Sequence, residues 1–255
     1  GEWGLPEQKH HKTRKRTVDQ RALNFLFARY PNKIFRMIMT QRHLTAKILG
    51  TYLSDKIIGE DGHAHTSFGV TVTGRLSSRE SDVFGSGTDL QNQPENIRDI
   101  FIPRPGKKFL APDLANAENR VQALVANMRN ALRAFDRGEN VHLKVGEWIH
   151  GRVVDKQKEG DTYKRLKNIQ HGTNYGMGEG TFATYVRRSV AEAKVLRMKY
   201  LEWVPELVEW HKWVDMKVST GDRTLITPIG RLRTFTKPPS DYKLKTEAYA
   251  HIPQS

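Results

Sequence analysis

The stretch KRLKNIQHGTNYGMG, Lys164 to Gly178, sets Lys167, His171 and Tyr175 four residues apart. Side chains at that interval stack on one face of a helix, so a cation and two flat rings would share one wall. Such a wall suits a charged, planar ligand; an ordinary helix covering a core is the alternative. A second arrangement lies upstream, where KKFLAPDL reads as a short apolar strand ending in Asp113. It leads into AENRVQALVANMRNALRAF, read as a helix with Val121, Leu124, Val125 and Leu132 on one side. The order is strand, carboxylate, helix.

The elements that must position these residues follow from period and punctuation. From Asp19 to Asp55 apolar residues recur at helical spacing and Pro31 interrupts them, which predicts two helices joined there. HAHTSFGVTVTGRLSS changes to alternation around Gly74 and predicts β structure with a turn. Residues 139–163 are charged and read as helix plus loop, and 164–178 as a helix with a glycine-rich end. AEAKVLRMKYLEWVPELVEWHKWVDMKV predicts two helices divided at Pro205, its three tryptophans in packing roles. TLITPIGRLRTF reads as β structure about Gly230, and KLKTEAYAHIPQS as a terminal helix or its exit. The basic run KHHKTRKR, Lys9 to Arg16, reads as a solvated tail or helix start, with phosphate contact the sharper alternative.

Bulk composition narrows the partners. The 255 residues suffice for a core and more than one lobe. Forty-two Lys and Arg against 28 Asp and Glu give a formal charge of +14, which points to a polyanion, by default nucleic acid. With no cysteine there is neither a disulfide framework nor a thiolate zinc site, in keeping with a reducing cytoplasm. No apolar run is long enough to cross a membrane, and no secretory signal is visible. The chain begins at Gly1 with all six methionines internal, so a piece of a longer protein is expected.

Several of these stretches, in this order, resemble the polymerase part of family A DNA polymerases, the group of bacterial polymerase I and its phage relatives. HTSFGVTVTGRLSS resembles that family's HTSF and TGRLSS segment, DLQNQP its NLQNIP, and NIRDIFIP its step into the palm. DLANAENR, Asp113 to Arg120, resembles motif A, usually DYSQIELR. KRLKNIQHGTNYG resembles motif B, TLITPIGRLRTF a phage-like form of the family's GRRR segment, and HIPQS the place of APMQG. The series runs from about Ala64 to Ser255. It implies an α+β, mostly helical right-hand architecture, palm and fingers, with a small antiparallel palm sheet. The corresponding lobes are 1–60 for the end of the thumb and entry to the palm, 61–125 for the palm with motif A, 126–235 for the fingers with motif B, and 236–255 for a return helix.

The resemblance also implies roles. Nucleotide addition is phosphoryl transfer, to which a protein contributes positioning and charge neutralisation. Asp113 and the backbone carbonyl of Leu114 would hold Mg²⁺, of which two ions are expected in a complete enzyme; a helix cap is the plain alternative for Asp113. Glu118 falls in the slot that closes off the sugar's 2′ side, favouring dNTPs over ribonucleotides. Lys167 would neutralise triphosphate oxygens and assist catalysis, while His171 and Tyr175 line the wall for base and sugar. His142 falls on a phosphate-contacting histidine. Arg75 and Gln254 match minor-groove readers of the primer-template, Asn92 a template-orienting residue or a turn, and Arg120 a phosphate contact or a buried ion pair. Two positions depart from motif B: its leading arginine falls on Tyr163, with Lys164 or Arg165 as substitutes, and its central aromatic on His171.

A third family motif, His-Asp-Glu on a hairpin, supplies the other metal-bridging carboxylate, and it has no counterpart in this sequence. The expectation is a fragment or one half of a split DNA polymerase, inactive until a second polypeptide or segment provides that motif, with the apolar segment before Asp113 left as an exposed edge. A non-catalytic nucleic-acid-binding protein is the rival reading. A single-subunit RNA polymerase is the third, and Glu118 and TGRLSS argue against it.

Overall fold

The computed structural model describes residues 4–10 and 12–255; His11 of the basic run lies outside them. The rest of that run is a small exposed turn closed by a bridge between Lys9 and Arg16, rather than a helix start. The chain forms two units, residues 1–69 with 76–108, and residues 70–75 with 109–255.

In the first unit, α1 (Gln20–Arg29) and α2 (Lys33–Arg42) are separated at Pro31 as predicted. Each start is capped by a side chain: Asp19 accepts from the Ala22 amide at 2.9 Å and Asn32 from the Ile34 amide at 3.0 Å. Leu23, Leu26 and Phe35 bury the facing stripes. A π-helix, His43–Tyr52, continues α2 directly. Strands β1 (Ser67–Val70) and β2 (Leu76–Arg79) form a two-stranded sheet, and the turn between them, which belongs to the second unit, uses Gly74 at φ 82°.

The second unit holds the main core. It comprises α3 (Ala117–Val125), α4 (Arg129–Asp136), α5 (Val141–His150), α6 (Gly160–Asn174), α7 (Glu179–Val186), α8 (Val190–Trp203), α9 (Glu206–Ser219), β3 (Thr224–Ile226), β4 (Leu232–Thr234) and α10 (Tyr242–Gln254). β3 and β4 pair antiparallel with Leu225 opposite Arg233, and Gly230 turns between them at φ 83°. Asn140 caps α5 through the amides of His142 and Leu143, and Ser189 with Glu192 forms a capping box on α8. Trp210 and Trp203 pack on this core, whereas Trp213 is 41% exposed. The whole is α+β and mostly helical, as expected.

Two expectations fail. The predicted single helix after Asp113 is two, because Asn127 enters the left-handed region at φ 51° and the Met128 amide folds back onto the Ala123 carbonyl. Its buried face is Asn119, Gln122 and Ala123, while Leu124 is 65% exposed. The predicted strand before Asp113 is absent, since residues 107–114 form no regular element and Leu110 is 90% exposed. A strand exists only through its ladder partner, and among the described residues none pairs with this segment. The short helix α7 is an element that sequence reading missed.

Candidate active site

The site is built inside the second unit around Glu118. α3 begins at Ala117, which puts Glu118 in the first turn, where unpaired amides favour an anion. Three other segments deliver donors to its carboxylate. Tyr175 closes α6 and donates its hydroxyl to Oε2 at 2.5 Å; Gln254, at the end of α10, reaches the same oxygen at 3.4 Å. The Arg75 guanidinium, from the β1–β2 turn, pairs with Oε1, and its Nε donates to the Gln254 carbonyl at 3.2 Å. Gly74 makes that turn possible twice over: its φ is positive, and a Cβ there would collide with the Arg231 guanidinium.

Electrostatics at this centre run against burial. Burial alone would raise the Glu118 pKa, but the hydrogen bonds from Tyr175 and Arg75 and the Arg75 charge outweigh it, so the carboxyl is held below its ordinary value. Glu118 is therefore ionised at neutral pH. Burial and the Glu118 anion raise the Tyr175 pKa, which keeps its hydroxyl a donor. His171 Nδ1 lies 3.9 Å from Glu118 Oε2. Burial lowers its pKa; the Glu118 charge opposes, and Lys167 and Arg75 add to the lowering. A neutral imidazole beside a carboxylate is not an ion pair, so this contact is one of packing and shape.

Beneath His171 lies His142, 1% exposed, with ring centroids 5.7 Å apart. Its pKa falls to about 4, first through burial and then through His171 and Lys167, so it stays neutral. Predicted as a phosphate contact, it is instead enclosed behind the wall. Lys167 is exposed on the same face of α6, its Nζ 6.0 Å from the centroid of Tyr163. The three-residue wall thus exists as the spacing predicts: an exposed cation at one end, an imidazole in the middle, and a phenol tied to Glu118 at the other.

The remaining predicted residues stand apart from this centre. Asp113 and Leu114 lie in the exposed coil, and the helix that follows is headed by Asn116, so Asp113 is not its cap. The Asp113 carboxylate has no hydrogen bond or ion pair among the described residues. With the Leu114 carbonyl it offers hard oxygens of the kind Mg²⁺ takes, but among the described residues no three Asp, Glu or His gather to hold a metal. The donors suit magnesium in kind and fall short of a full site in number. Arg120 is exposed over the Phe135 ring, 4.7 Å from its centroid, and is not in a buried ion pair. Asn92, in the first unit, donates to Asp89 Oδ2 at 2.6 Å while its amide bonds Oδ1, the turn-forming alternative. Of the two proposed substitutes for the motif arginine, Lys164 is exposed and Arg165 is half-buried with Nη2 on the Thr162 hydroxyl.

Sequence reading missed the support behind the wall. Asn174 donates to Asn119 at 3.2 Å, accepts from the Tyr200 hydroxyl at 2.7 Å, and offers its carbonyl to His211 at 2.7 Å. All of this is buried or half-buried, and it ties α3, α6, α8 and α9 together. The available signal was Gln170 and Asn174, polar residues four apart on the face that turns inward. Directly after Tyr175, Gly176 turns left-handed at φ 79°, and the Tyr249 ring fills the space a Cβ would need.

The chain matches the profile of DNA polymerase family A over residues 1–251. It is 31% identical over 247 residues to the thermostable DNA polymerase I of Thermus aquaticus, covering 91% of this chain and 28% of that protein. It is 28% identical over 201 residues to DNA polymerase I of Mycobacterium bovis, covering 75% of this chain and 21% of that one. Among solved structures, the POL domain of Pol1 from M. smegmatis in complex with DNA primer-template and dNTP superposes with a TM-score of 0.73 at 25% identity, over 98% of this chain and 44% of the other. The chain thus spans between about a fifth and a third of the length of these curated relatives. No helix among the described residues is long and apolar enough to cross a membrane. On the profile match, which covers nearly its whole length, the chain belongs to DNA polymerase family A.

Proposed function

We propose that this chain contributes palm and fingers to template-directed DNA synthesis, adding dNTPs to a primer 3′-hydroxyl. In the reaction the hydroxyl oxygen forms a bond to the α-phosphorus, its proton leaves to solvent, and the bond to the β-phosphate breaks to release pyrophosphate. The observation that carries the reading is the ionised Glu118, fixed by Arg75, Tyr175 and Gln254 beside the Lys167 to Tyr175 wall. A fixed carboxylate at a sugar-binding wall excludes a ribose 2′-hydroxyl by bulk and leaves a deoxyribose room. Lys167 meets the triphosphate as a point charge, and Arg75 and Gln254 face the minor groove, whose acceptors are shared by all base pairs. Lys167, His171 and Tyr175 belong in this reading to the fingers and Asp113 to the palm.

Mg²⁺, held by Asp113 and the Leu114 carbonyl together with phosphate oxygens and water, would neutralise charge on the reacting phosphate. A second carboxylate must come from outside the described residues, on a further segment or a second polypeptide, and without it synthesis fails. A binding role without chemistry is the second reading, favoured by the exposed Asp113 carboxylate, which has no partner among the described residues. The chain is mixed with a polypeptide carrying the family's His-Asp-Glu segment, primer-template, Mg²⁺ and dNTPs. Extension that Asp113→Ala abolishes supports synthesis; duplex binding with no extension under any complementation supports the second reading.

A further inference from the structure

Beside the wall, two ammonium groups share one aromatic ring. Lys156 Nζ lies 5.3 Å from the centroid of Tyr163, and Lys167 Nζ lies 6.0 Å from the same centroid. Lys167 was singled out by its spacing; Lys156 belongs to no motif and comes from the turn before α6. That turn is built to hold it. The Asp155 carboxylate accepts from the amides of Gln157 and Lys158 at 2.9 and 3.2 Å, and the Glu159 amide bonds the Asp155 carbonyl at 2.8 Å. The ring is held as well, since Asn140, the cap of α5, donates to the Tyr163 hydroxyl at 3.0 Å.

Asp155, Glu159 and Glu139 are otherwise engaged. Asp155 pairs with Lys158 at 3.8 Å, Glu159 takes both arms of Arg152 at 2.6 and 2.7 Å, and Glu139 is shared by Arg137 and Lys144. Neither Lys156 nor Lys167 has a carboxylate within ion-pair distance among the described residues. Cations normally find a counter-ion or separate; two left uncompensated against one fixed ring leave positive potential that an external polyanion would relieve. Both charges also help to lower the pKa of the buried His142.

We infer that Lys156 and Lys167 flank Tyr163 as a two-cation seat for the polyphosphate of the incoming nucleotide, Lys156 taking the charge-neutralising part that neither Lys164 nor Arg165 is placed to share. This rests on the reading of the wall as a nucleotide site. Because the two ammonium groups come from different segments, they grip an extended chain of phosphates better than a single one.

The test measures binding of inorganic tripolyphosphate and of dATP to the full chain by calorimetry with Mg²⁺ present. Lys156→Ala is expected to weaken both about tenfold, the loss of one charge-assisted contact, with Lys167→Ala similar. Lys156→Arg should restore binding, and Lys158→Ala should leave it unchanged. An unchanged affinity in Lys156→Ala, with Lys167→Ala weakened, overturns the role of Lys156 and leaves the nucleotide site standing. No effect from either overturns both. Weaker binding of duplex DNA with unaltered tripolyphosphate affinity also overturns it, assigning the lysine to a DNA backbone contact instead. An unshifted melting temperature of Lys156→Ala, whose side chain is exposed, confirms that folding is unaffected.

Discussion

Two carboxylates five residues apart in this chain live in opposite circumstances. Glu118 is half-buried, ionised and met by donors from three separate segments. Asp113 stands on an exposed coil with no bond to any described residue. The difference separates a centre closed by donors from several segments from a carboxylate that has no partner among the described residues. The wall is assembled from the chain's own helices, whereas the carboxylate proposed to hold Mg²⁺ stands without partners among the described residues. Burial follows the same division, for α3 packs on α10 within the core while the segment before it carries apolar side chains into water.

The sharpest way to break this contrast is Asp113→Ala. In the complemented extension assay it should cost at least about 10²-fold in rate, as expected when a group that stabilises transition-state charge is lost, with no change in the urea midpoint. Any loss of stability would mean the residue is structurally engaged after all. Glu118→Ala should do the reverse: roughly 1.5–3 kcal/mol of stability lost with its charge-assisted hydrogen bonds, measured by urea unfolding, and readier incorporation of ribonucleotides wherever extension is seen. Gly74→Ala should cost about 1–3 kcal/mol, because the left-handed turn that delivers Arg75 becomes strained and the Arg231 guanidinium is displaced.

The smallest effects concern pH. Glu118 is depressed in the folded state, so its contribution is complete above the ordinary carboxylate value and is lost as pH falls through the lower folded value. His142 acts higher. Its folded pKa lies near 4 against an ordinary 6.5, so between those values the unfolded chain takes up a proton that the folded one refuses, and stability declines as pH drops across that window. Urea midpoints should fall between pH 6.5 and 4 in the parent chain, and the slope should flatten in His142→Leu.

How much of this was legible depended on the range of each interaction. The wall of Lys167, His171 and Tyr175 needs only helical geometry, and its spacing gave it directly. The break at Pro31, the pair of helices about Pro205 and the turns at Gly74 and Gly230 are local too. The break at Asn127 was hidden because one asparagine at positive φ carries little weight among good helix formers. The segment before Asp113 has strand composition, but composition cannot supply a ladder partner. The meeting of Arg75, Glu118, Tyr175 and Gln254 links points up to 179 residues apart, and no pattern within a window encodes it. His142 was placed by resemblance to a relative's phosphate contact, yet the fold packs it under His171.

At the end of α6, the bare α-carbon of Gly176 receives the Cδ2–Cε2 edge of the Tyr249 ring. The phenol of that ring donates to Asp215 on α9, which also takes the ammonium of Lys245 on α10. One added methyl at position 176 would therefore act as a wedge, felt at a joint three helices share and, one residue back, at the phenol that holds Glu118.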